Sequence, residues 1–255
     1  MVLVSADTRM AGIPMEPSCN SLLWHWVRII FLVGCVAGSI ALTQSGCGSS
    51  KSEAPPVKVE ETPAKPAATT DNRPAIVAFG DSLTAGFGAE PGASYADFLQ
   101  KDLDRAGLAW RVVNAGVSGD TTTDGANRLS EVLAVKPRVV ILEFGGNDGL
   151  RGLPIETTRA NLEQMIVTLR NSGAAVILAG MTLPPNYGPD YIRGFEHVYQ
   201  DLAVKYKLVR IPFLLEGVAT DRSLMQRDGI HPTGRGNEKV AATVMKYLRP
   251  ALAGR

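Results

Sequence analysis

The chain has 255 residues, of which 45% are hydrophobic and 20% are charged, and its formal net charge at pH 7 is +1. This length suits one or two globular domains, and the apolar fraction excludes a chain that is disordered throughout. The balance of 26 Lys and Arg against 25 Asp and Glu disfavours a nucleic-acid binder that relies on neutralising phosphates.

The first segment, residues 1–47, is expected to be an export signal. All three cysteines of the chain lie in it, the last of them Cys47. An uncharged run of 14 residues, Ile29–Leu42, follows an arginine and precedes small residues, which is typical of a secretory signal. A membrane-spanning helix needs about 20 apolar residues, so an uncleaved anchor is the less favoured alternative. Initiation at Met10 or Met15 would give a signal of more usual length.

The end of this segment, Ser45-Gly46-Cys47, resembles a bacterial lipobox, which implies that Cys47 becomes the lipidated mature N-terminus. Gln44 departs from the lipobox pattern, in which leucine is usual at that position. The stretch Leu32-Val33-Gly34-Cys35 matches better locally but leaves few apolar residues before it, so Cys47 is preferred. A plain secretory signal stays open. The expected location is the bacterial cell envelope, with a lipid anchor in the membrane.

Residues 48–73 are expected to be a disordered tether. They contain four Pro, four Ala, scattered charges and no aromatic residue, so they cannot bury enough apolar area to order themselves. Fully extended, this tether would reach roughly 80 Å. The remaining 182 residues, 74–255, are expected to form one domain.

Strands and helices alternate along this domain. Short apolar runs predict a buried strand at Ala75–Phe79 and further strands at Trp110–Val113, Val139–Leu142, Val176–Ala179 and Leu208–Ile211. Helices are predicted from Ser94 to Gly107 and over Ala126–Ala134, Glu156–Asn171, Phe195–Lys207 and Asn237–Leu248. Nearly continuous apolar strands between helices indicate an α/β protein with a parallel five-stranded sheet in a three-layer α/β/α sandwich.

In such folds the ligand lies beyond the carboxyl ends of the strands. The loops that begin at Gly80, Asn114, Gly145, Met181 and Pro212 are therefore the places to look for a site.

Three of these loops carry polar residues suited to nucleophilic chemistry. Ser82 follows Gly80 at a strand-to-helix turn, although such a serine is also a common helix cap. Gly119 lies in a glycine-rich loop that could present a backbone N–H to an anion, or be an ordinary turn. Asn147, after two glycines, is a neutral donor suited to a developing oxyanion, and also a common turn residue.

The domain contains two histidines, and only one of them has a catalytic pattern. His231 lies three residues after Asp228, across a turn at Gly229, so the carboxylate can accept a hydrogen bond from the ring and leave the other ring nitrogen free as a base. His197 lies within a predicted helix, where a surface or packing role is favoured. A metal site is not expected, because no other histidine or cysteine lies near this pair.

Taken in order, the serine, glycine, asparagine and histidine blocks resemble those of the SGNH, or GDSL, hydrolase superfamily. The resemblance spans about residues 76–248 and is closest to the bacterial thioesterase I, lysophospholipase and arylesterase branch. It rests on five stretches: Gly80-Asp81-Ser82-Leu83, Ser118-Gly119-Asp120-Thr121, Gly145-Gly146-Asn147-Asp148-Gly149-Leu150-Arg151-Gly152, Leu183-Pro184-Pro185-Asn186-Tyr187-Gly188 and Asp228-Gly229-Ile230-His231-Pro232.

The resemblance implies a flavodoxin-like fold and a serine hydrolase that needs no cofactor and no metal. Ser82 would be the nucleophile, His231 the general base and acid, and Asp228 the residue that orients His231. The oxyanion hole would comprise the backbone N–H groups of Ser82 and Gly119 and the side chain of Asn147. Substrate-binding residues would be Asp148, Leu150, Leu153, Leu183 and Pro184.

The expected partner is a small acyl ester or thioester, bound by a monomeric enzyme. A carbohydrate O-acetylesterase would use the same catalytic set and is the alternative within enzymes. A non-catalytic lipoprotein that binds lipid or glycan is the alternative from another class.

Overall fold

The computed structural model describes residues 71–253 of the chain. The predicted export segment 1–47, with its lipobox Cys47, and residues 48–70 of the predicted tether lie outside the described residues. Among residues 71–253, no helix combines the length and the apolar character that crossing a membrane requires.

Five parallel strands form one sheet in the spatial order β2-β1-β3-β4-β5. All residues of β1 and β3 are buried, as expected of central strands that helices cover on both faces. The predicted five-stranded parallel sheet is confirmed, and its strand order is that of flavodoxin-like folds. The strands are β1 Ala75–Gly80, β2 Arg111–Gly116, β3 Val139–Glu143, β4 Ala175–Ala179 and β5 Val209–Ile211.

Eight helices are described, and they pack as two groups. Helix α2 packs against α8, whereas α6 packs against both α3 and α7, and these groups form the outer layers of the sandwich. The helices are α1 Ser82–Ala85, α2 Tyr95–Arg105, α3 Thr122–Asn127, α4 Leu129–Ala134, α5 Gly146–Leu150, α6 Ile155–Asn171, α7 Pro189–Tyr206 and α8 Gly234–Leu252, with a 3₁₀ turn at Pro185–Tyr187.

The helix predicted over Ala126–Ala134 is instead two helices, α3 and α4, that meet at Arg128. Arg128 leaves the helical conformation, with φ −102° and ψ 13°. Its guanidinium reaches the carbonyl oxygens of Gly80 and Ala115 at the ends of β1 and β2. The helix is therefore interrupted at the residue whose side chain makes these long-range hydrogen bonds, and the local helical pattern does not predict this interruption.

Two other helices begin earlier than predicted, and each has a local cause. Helix α8 begins at Gly234, because the Thr233 hydroxyl caps it by accepting a hydrogen bond from the backbone N–H of Gly236. Helix α7 begins at Pro189, a residue whose fixed φ suits the first helical position. Periodicity does not detect α1 and α5, since four or five residues do not complete two turns.

The strand register brings the ends of β1, β2 and β3 to one edge of the sheet. Gly80 is aligned with Gly116 of β2 on one side and with Glu143 of β3 on the other. The loops that follow these three strands therefore start side by side, which is the condition for residues far apart in sequence to share one site.

Gly116 ends β2 where helix α1 passes close to it. A Cβ atom at this position would lie 2.2 Å from the backbone nitrogen of Ala85. We expect Gly116→Ala to lower the free energy of unfolding by about 1–3 kcal/mol, because backbone atoms cannot move aside as a flexible side chain can. Urea denaturation measures this change.

Gly234→Ala is the matched control for this substitution. The nearest atom to a Cβ at Gly234 is 3.6 Å away, and alanine is the better helix former, so its stability should not fall. A Gly116→Ala variant as stable as the wild type would contradict the close approach.

Candidate active site

Ser82 is the first residue of α1 and directly follows the turn that leaves β1. The turn is held by Asp81, whose side chain caps α1 by accepting a hydrogen bond of 3.0 Å from the backbone N–H of Leu83. The loop beyond α1 returns close to the serine, since the backbone N–H of Phe87 donates to the Ser82 carbonyl oxygen at 3.0 Å. The serine is thus presented at the carboxyl edge of the sheet on a short, capped turn.

The loop before α8 brings His231 to this serine. The imidazole Nε2 lies 2.9 Å from Ser82 Oγ, and Nδ1 lies 2.7 Å from Asp228 Oδ2. The other oxygen of Asp228 accepts hydrogen bonds from the backbone N–H groups of Ile230 and His231. Ser82, His231 and Asp228 therefore form a continuous chain of hydrogen bonds, in the arrangement that the sequence predicts.

The charge state of Asp228 determines which atom is the donor in each of these hydrogen bonds. Partial burial acts to raise its pKa, but the hydrogen bonds from His231 and Ile230 outweigh this and lower the pKa to about 2. An ionised carboxylate only accepts, so the hydrogen between them belongs to Nδ1 of His231. In the neutral ring, Nε2 is then the acceptor for the Ser82 hydroxyl, as a general base requires.

Gly119 lies on the loop after β2 and Asn147 is the second residue of α5, which follows β3, and hydrogen bonds hold both. Gly119 has a φ of +90°, a conformation that favours glycine, and its carbonyl oxygen accepts from the Arg151 side chain at 2.8 Å. The side-chain amide of Asn147 donates to the carbonyl oxygen of Asp120 at 2.9 Å and to Asp81 Oδ2 at 3.2 Å. Both hydrogens of this amide are engaged, so donating to a ligand requires one of them to be shared or released.

Two buried carboxyl groups lie behind the serine turn. Glu143 Oε2 accepts from the backbone N–H of Asp81 at 3.1 Å and from the Thr84 hydroxyl at 2.8 Å. Burial raises the pKa of Asp81 to about 6, and burial together with the nearby Asp81 charge raises the pKa of Glu143 well above its usual value. The pair therefore avoids carrying two negative charges at neutral pH.

The Arg128 side chain connects two strand ends and a loop of the site. Its guanidinium donates to the carbonyl oxygens of Gly80 at 2.8 Å and Ala115 at 2.9 Å, and to Asp120 Oδ2 at 2.6 Å. The same group lies 4.6 Å from the ring centroid of Phe79. One side chain thus joins the ends of β1 and β2 to the loop that carries Gly119.

The predicted substrate-binding residues lie on two segments, α5 with the turn after it and the loop after β4, and tyrosine hydroxyls connect these segments. The Tyr187 hydroxyl donates to the carbonyl oxygen of Leu150 at 2.7 Å, and the Tyr191 hydroxyl donates to that of Leu153 at 2.9 Å. Leu150 and Leu153 are partly exposed, and Pro184 is exposed.

Two other predicted substrate-binding residues, Asp148 and Leu183, are buried. Asp148 accepts hydrogen bonds from the backbone N–H and hydroxyl of Thr122 and from the Thr158 hydroxyl, so it joins α5 to α3 and α6. The Leu183 side chain packs against Gly149. Their contacts in this structure are with the protein.

Sequence reasoning gives no site role to Arg128 or Glu143. A signal exists for Glu143, because it is a charged residue that directly follows the buried apolar run Val139–Leu142. Arg128 has no such signal, since an arginine within a helical pattern is usually a solvated surface residue. The second histidine, His197, lies exposed on α7. Among residues 71–253, no cluster of three or more His, Cys, Asp and Glu side chains could hold a metal ion.

The raised pKa of Glu143 makes stability depend on pH in a defined direction. Below the usual glutamate pKa, Glu143 is protonated in both the folded and the unfolded protein, so burying it requires no uptake of a proton. As the pH rises towards the higher folded-state pKa, the unfolded state ionises first and the folded protein loses stability. We therefore expect Glu143→Gln to gain stability relative to the wild type as the pH rises from 4.5 to 7.5, by at most about 1.4 kcal/mol per pH unit. Urea denaturation at four pH values measures the difference.

Glu163→Gln is the control, and its stability relative to the wild type should stay nearly constant over most of this pH range. A hydrogen bond from Lys205, followed by one from Tyr206, lowers the pKa of Glu163, so its contribution is present above the usual glutamate pKa and fades in more acidic solution. A stability difference for Glu143→Gln that does not change with pH would show that Glu143 is not held protonated.

The chain is similar to proteins from two bacteria and to a solved structure. The chain is 43% identical over 178 residues to "Esterase TesA" of Pseudomonas aeruginosa, covering 69% of this chain and 89% of that protein. It is 36% identical over 176 residues to "Thioesterase 1/protease 1/lysophospholipase L1" of Escherichia coli K12, covering 69% and 83%. The solved structure "Crystal Structure of TesA" superposes with a TM-score of 0.68 at 42% identity, covering 70% of this chain and 99% of that one.

The match to a protein family covers all the groups described above. Residues 78–239, more than half of the chain, match the GDSL-like Lipase/Acylhydrolase family. This range contains Ser82, Gly119, Asn147, Asp228 and His231. With this match and relatives of more than 30% identity, the protein belongs to the GDSL-like lipase/acylhydrolase, or SGNH hydrolase, family.

Proposed function

We propose that this protein is a serine hydrolase that cleaves carboxylic esters or thioesters through an acyl-serine intermediate. The observation that carries the proposal is the chain from Ser82 Oγ to His231 Nε2 at 2.9 Å and from His231 Nδ1 to Asp228 Oδ2 at 2.7 Å. A serine hydroxyl is a weak nucleophile until an adjacent base takes its proton, and this arrangement supplies that base.

In the first half of the reaction, Ser82 Oγ bonds to the carbonyl carbon of the substrate while its proton passes to His231 Nε2. The ionised Asp228 stabilises the imidazolium that forms. When the bond to the leaving alcohol or thiol breaks, His231 returns the proton to the leaving atom. The product is the acyl-serine and the free alcohol or thiol.

In the second half, His231 takes a proton from water, the water oxygen bonds to the acyl carbon, and Ser82 leaves with that proton. The negative charge on the carbonyl oxygen in both halves is assigned to the backbone N–H groups of Ser82 and Gly119 and to the Asn147 amide. One such donor typically contributes about 10²–10³ to kcat. Because the Asn147 amide is already engaged with Asp81 and Asp120, the oxyanion must compete with these two acceptors for it.

The acyl chain is assigned to two segments, α5 with the turn after it and the loop after β4, which Tyr187 and Tyr191 connect. Leu150, Leu153 and Pro184 are the predicted residues with side chains open to an acyl chain, whereas the buried Asp148 and Leu183 hold these segments in place. Esters and thioesters are the substrate classes supported by the names of the relatives, an esterase and a thioesterase/lysophospholipase.

The N-terminal sequence supports export to the cell envelope and lipidation at Cys47, with residues 48–73 as a tether to the catalytic domain. In the described part of this tether, Arg73 donates to Asp104 of α2 at 3.0 Å, so the chain meets the domain beside that helix.

Ser82→Ala tests the mechanism most directly. We expect it to abolish hydrolysis of p-nitrophenyl acyl esters without unfolding the domain, because only the nucleophilic oxygen is removed. Spectrophotometric rates and circular dichroism measure activity and folding. An organophosphorus ester should label the wild type on Ser82 alone; an active preparation that is not labelled would contradict the acyl-serine step.

Mass spectrometry of the mature N-terminus tests the anchor. In a bacterial host we expect the chain to begin at a lipid-modified Cys47 and to fractionate with membranes, since two or more acyl chains give stable anchoring. Cys47→Ser should abolish the modification, and Cys35→Ser should not affect it. An unmodified mature chain that begins at another residue would refute the assignment.

A further inference from the structure

Exposed large apolar side chains are few in residues 71–253, and they are not evenly spread. Three of the six lie on loops that carry or adjoin the catalytic groups: one on the loop after α1, one on the loop after β2 and one on the loop before α8. The six are Phe87, Val117, Val167, Val204, Val209 and Ile230. Exposed apolar side chains that cluster at a polar site are typical of a surface that binds an apolar ligand.

Two of these residues border His231. The Phe87 ring lies against the imidazole, with ring centroids 4.7 Å apart and planes inclined at 45°, yet 51% of Phe87 is exposed. Ile230 immediately precedes His231 and is 43% exposed. Phe87 therefore combines a fixed position next to the base with an open apolar surface, and Ile230 adds exposed apolar area on the loop that carries His231.

Phe87 is held in place by the segment that carries the histidine. The Gln226 side chain donates to the carbonyl oxygen of Phe87 at 2.7 Å and to that of Pro232 at 2.9 Å. The Gln226 backbone N–H donates to the carbonyl oxygen of His231 at 2.8 Å. One glutamine thus joins the Phe87 loop to the His231 loop, so the apolar surface is formed before any ligand arrives.

Because Phe87 and Ile230 lie next to His231, the part of the substrate that they contact follows from the role of His231. In the mechanism proposed above, on which this step rests, His231 gives its proton to the leaving oxygen. The leaving group must therefore lie beside the imidazole, where Phe87 and Ile230 are. The acyl chain bonded to the same carbon extends away from that oxygen.

We infer that Phe87 and Ile230 form a binding site for the leaving group of the ester, and that this site takes uncharged alkyl or aromatic alcohols. Their apolar surfaces cover the alcohol chain while it is bonded, and the chain's release after proton transfer frees the site for water.

The test separates the alcohol from the acyl part of the substrate. Rates of hydrolysis of ethyl acetate, n-hexyl acetate and ethyl hexanoate are measured by pH-stat titration. Primary alkyl alcohols are nearly equal as leaving groups, so the ratio of kcat/KM for hexyl acetate to that for ethyl acetate reports binding of the alcohol chain. The ratio for ethyl hexanoate to ethyl acetate reports binding of the acyl chain.

We expect Phe87→Ala to lower the alcohol-chain ratio about five- to tenfold, and Ile230→Ala about threefold, because each removes apolar area that the hexyl chain would cover. Neither should change the acyl-chain ratio. Phe87→Leu should keep most of the wild-type alcohol-chain ratio, because leucine retains much of the apolar area. Val204→Ala, at a residue of α7 that is 79% exposed, is the matched control and should change neither ratio.

Three results would overturn the inference. The alcohol-chain ratio could stay at its wild-type value in both Phe87→Ala and Ile230→Ala, or the acyl-chain ratio could fall instead. All three rates could also fall together, which would mean that Phe87 only supports His231. These results differ from failure of the proposed function, which would show as full activity of Ser82→Ala on ethyl acetate.

Discussion

The bonds of Arg128 hold together the parts of the molecule on which the site depends. Its guanidinium donates to the carbonyl oxygens of Gly80 and Ala115 at the ends of β1 and β2, and to Asp120 on the Gly119 loop. Parallel strands place their carboxyl ends at one edge, but they do not determine how the following loops are oriented. A planar group with several donors, largely buried between two strand ends and a loop, imposes that orientation at the cost of interrupting a helix.

Buried carboxyl groups provide the second layer of support. Asp81 caps the helix that begins with Ser82 and accepts a hydrogen bond from Asn147, while Glu143 accepts a hydrogen bond from the backbone N–H of Asp81. Placing two carboxyls in the interior is unfavourable, and their raised pKa values reflect this. The same hydrogen bonds fix the serine turn relative to the asparagine. The site therefore gains rigidity from groups that make the fold less stable at neutral pH.

The groups that support the serine turn are buried and hydrogen-bonded, whereas the side chains around the opening of the site are exposed. The proposed acyl side is bordered by α5 with the turn after it and by the loop after β4, which tyrosine hydroxyls connect. The side next to His231 is bordered by Phe87, whose backbone carbonyl accepts a hydrogen bond from Gln226. Hydrogen bonds to backbone oxygens fix both borders, so the apolar side chains stay free to meet a ligand. Such an arrangement separates the residues that set geometry from those that set preference among substrates.

The sequence by itself determined the sheet and the identities of the residues at its edge. Mostly apolar runs predict all five strands, most clearly the central ones, since a central parallel strand must be apolar on both faces. Local patterns such as Asp228-x-x-His231 suggest the catalytic groups. Only the tertiary structure brought Ser82 within 2.9 Å of a histidine 149 residues away, through the register that aligns Gly80 with its neighbours. It alone placed Arg128, Glu143 and Phe87 in the site. Their roles come from long-range contacts with other loops and strands, and no local pattern of residues encodes a contact across the sheet.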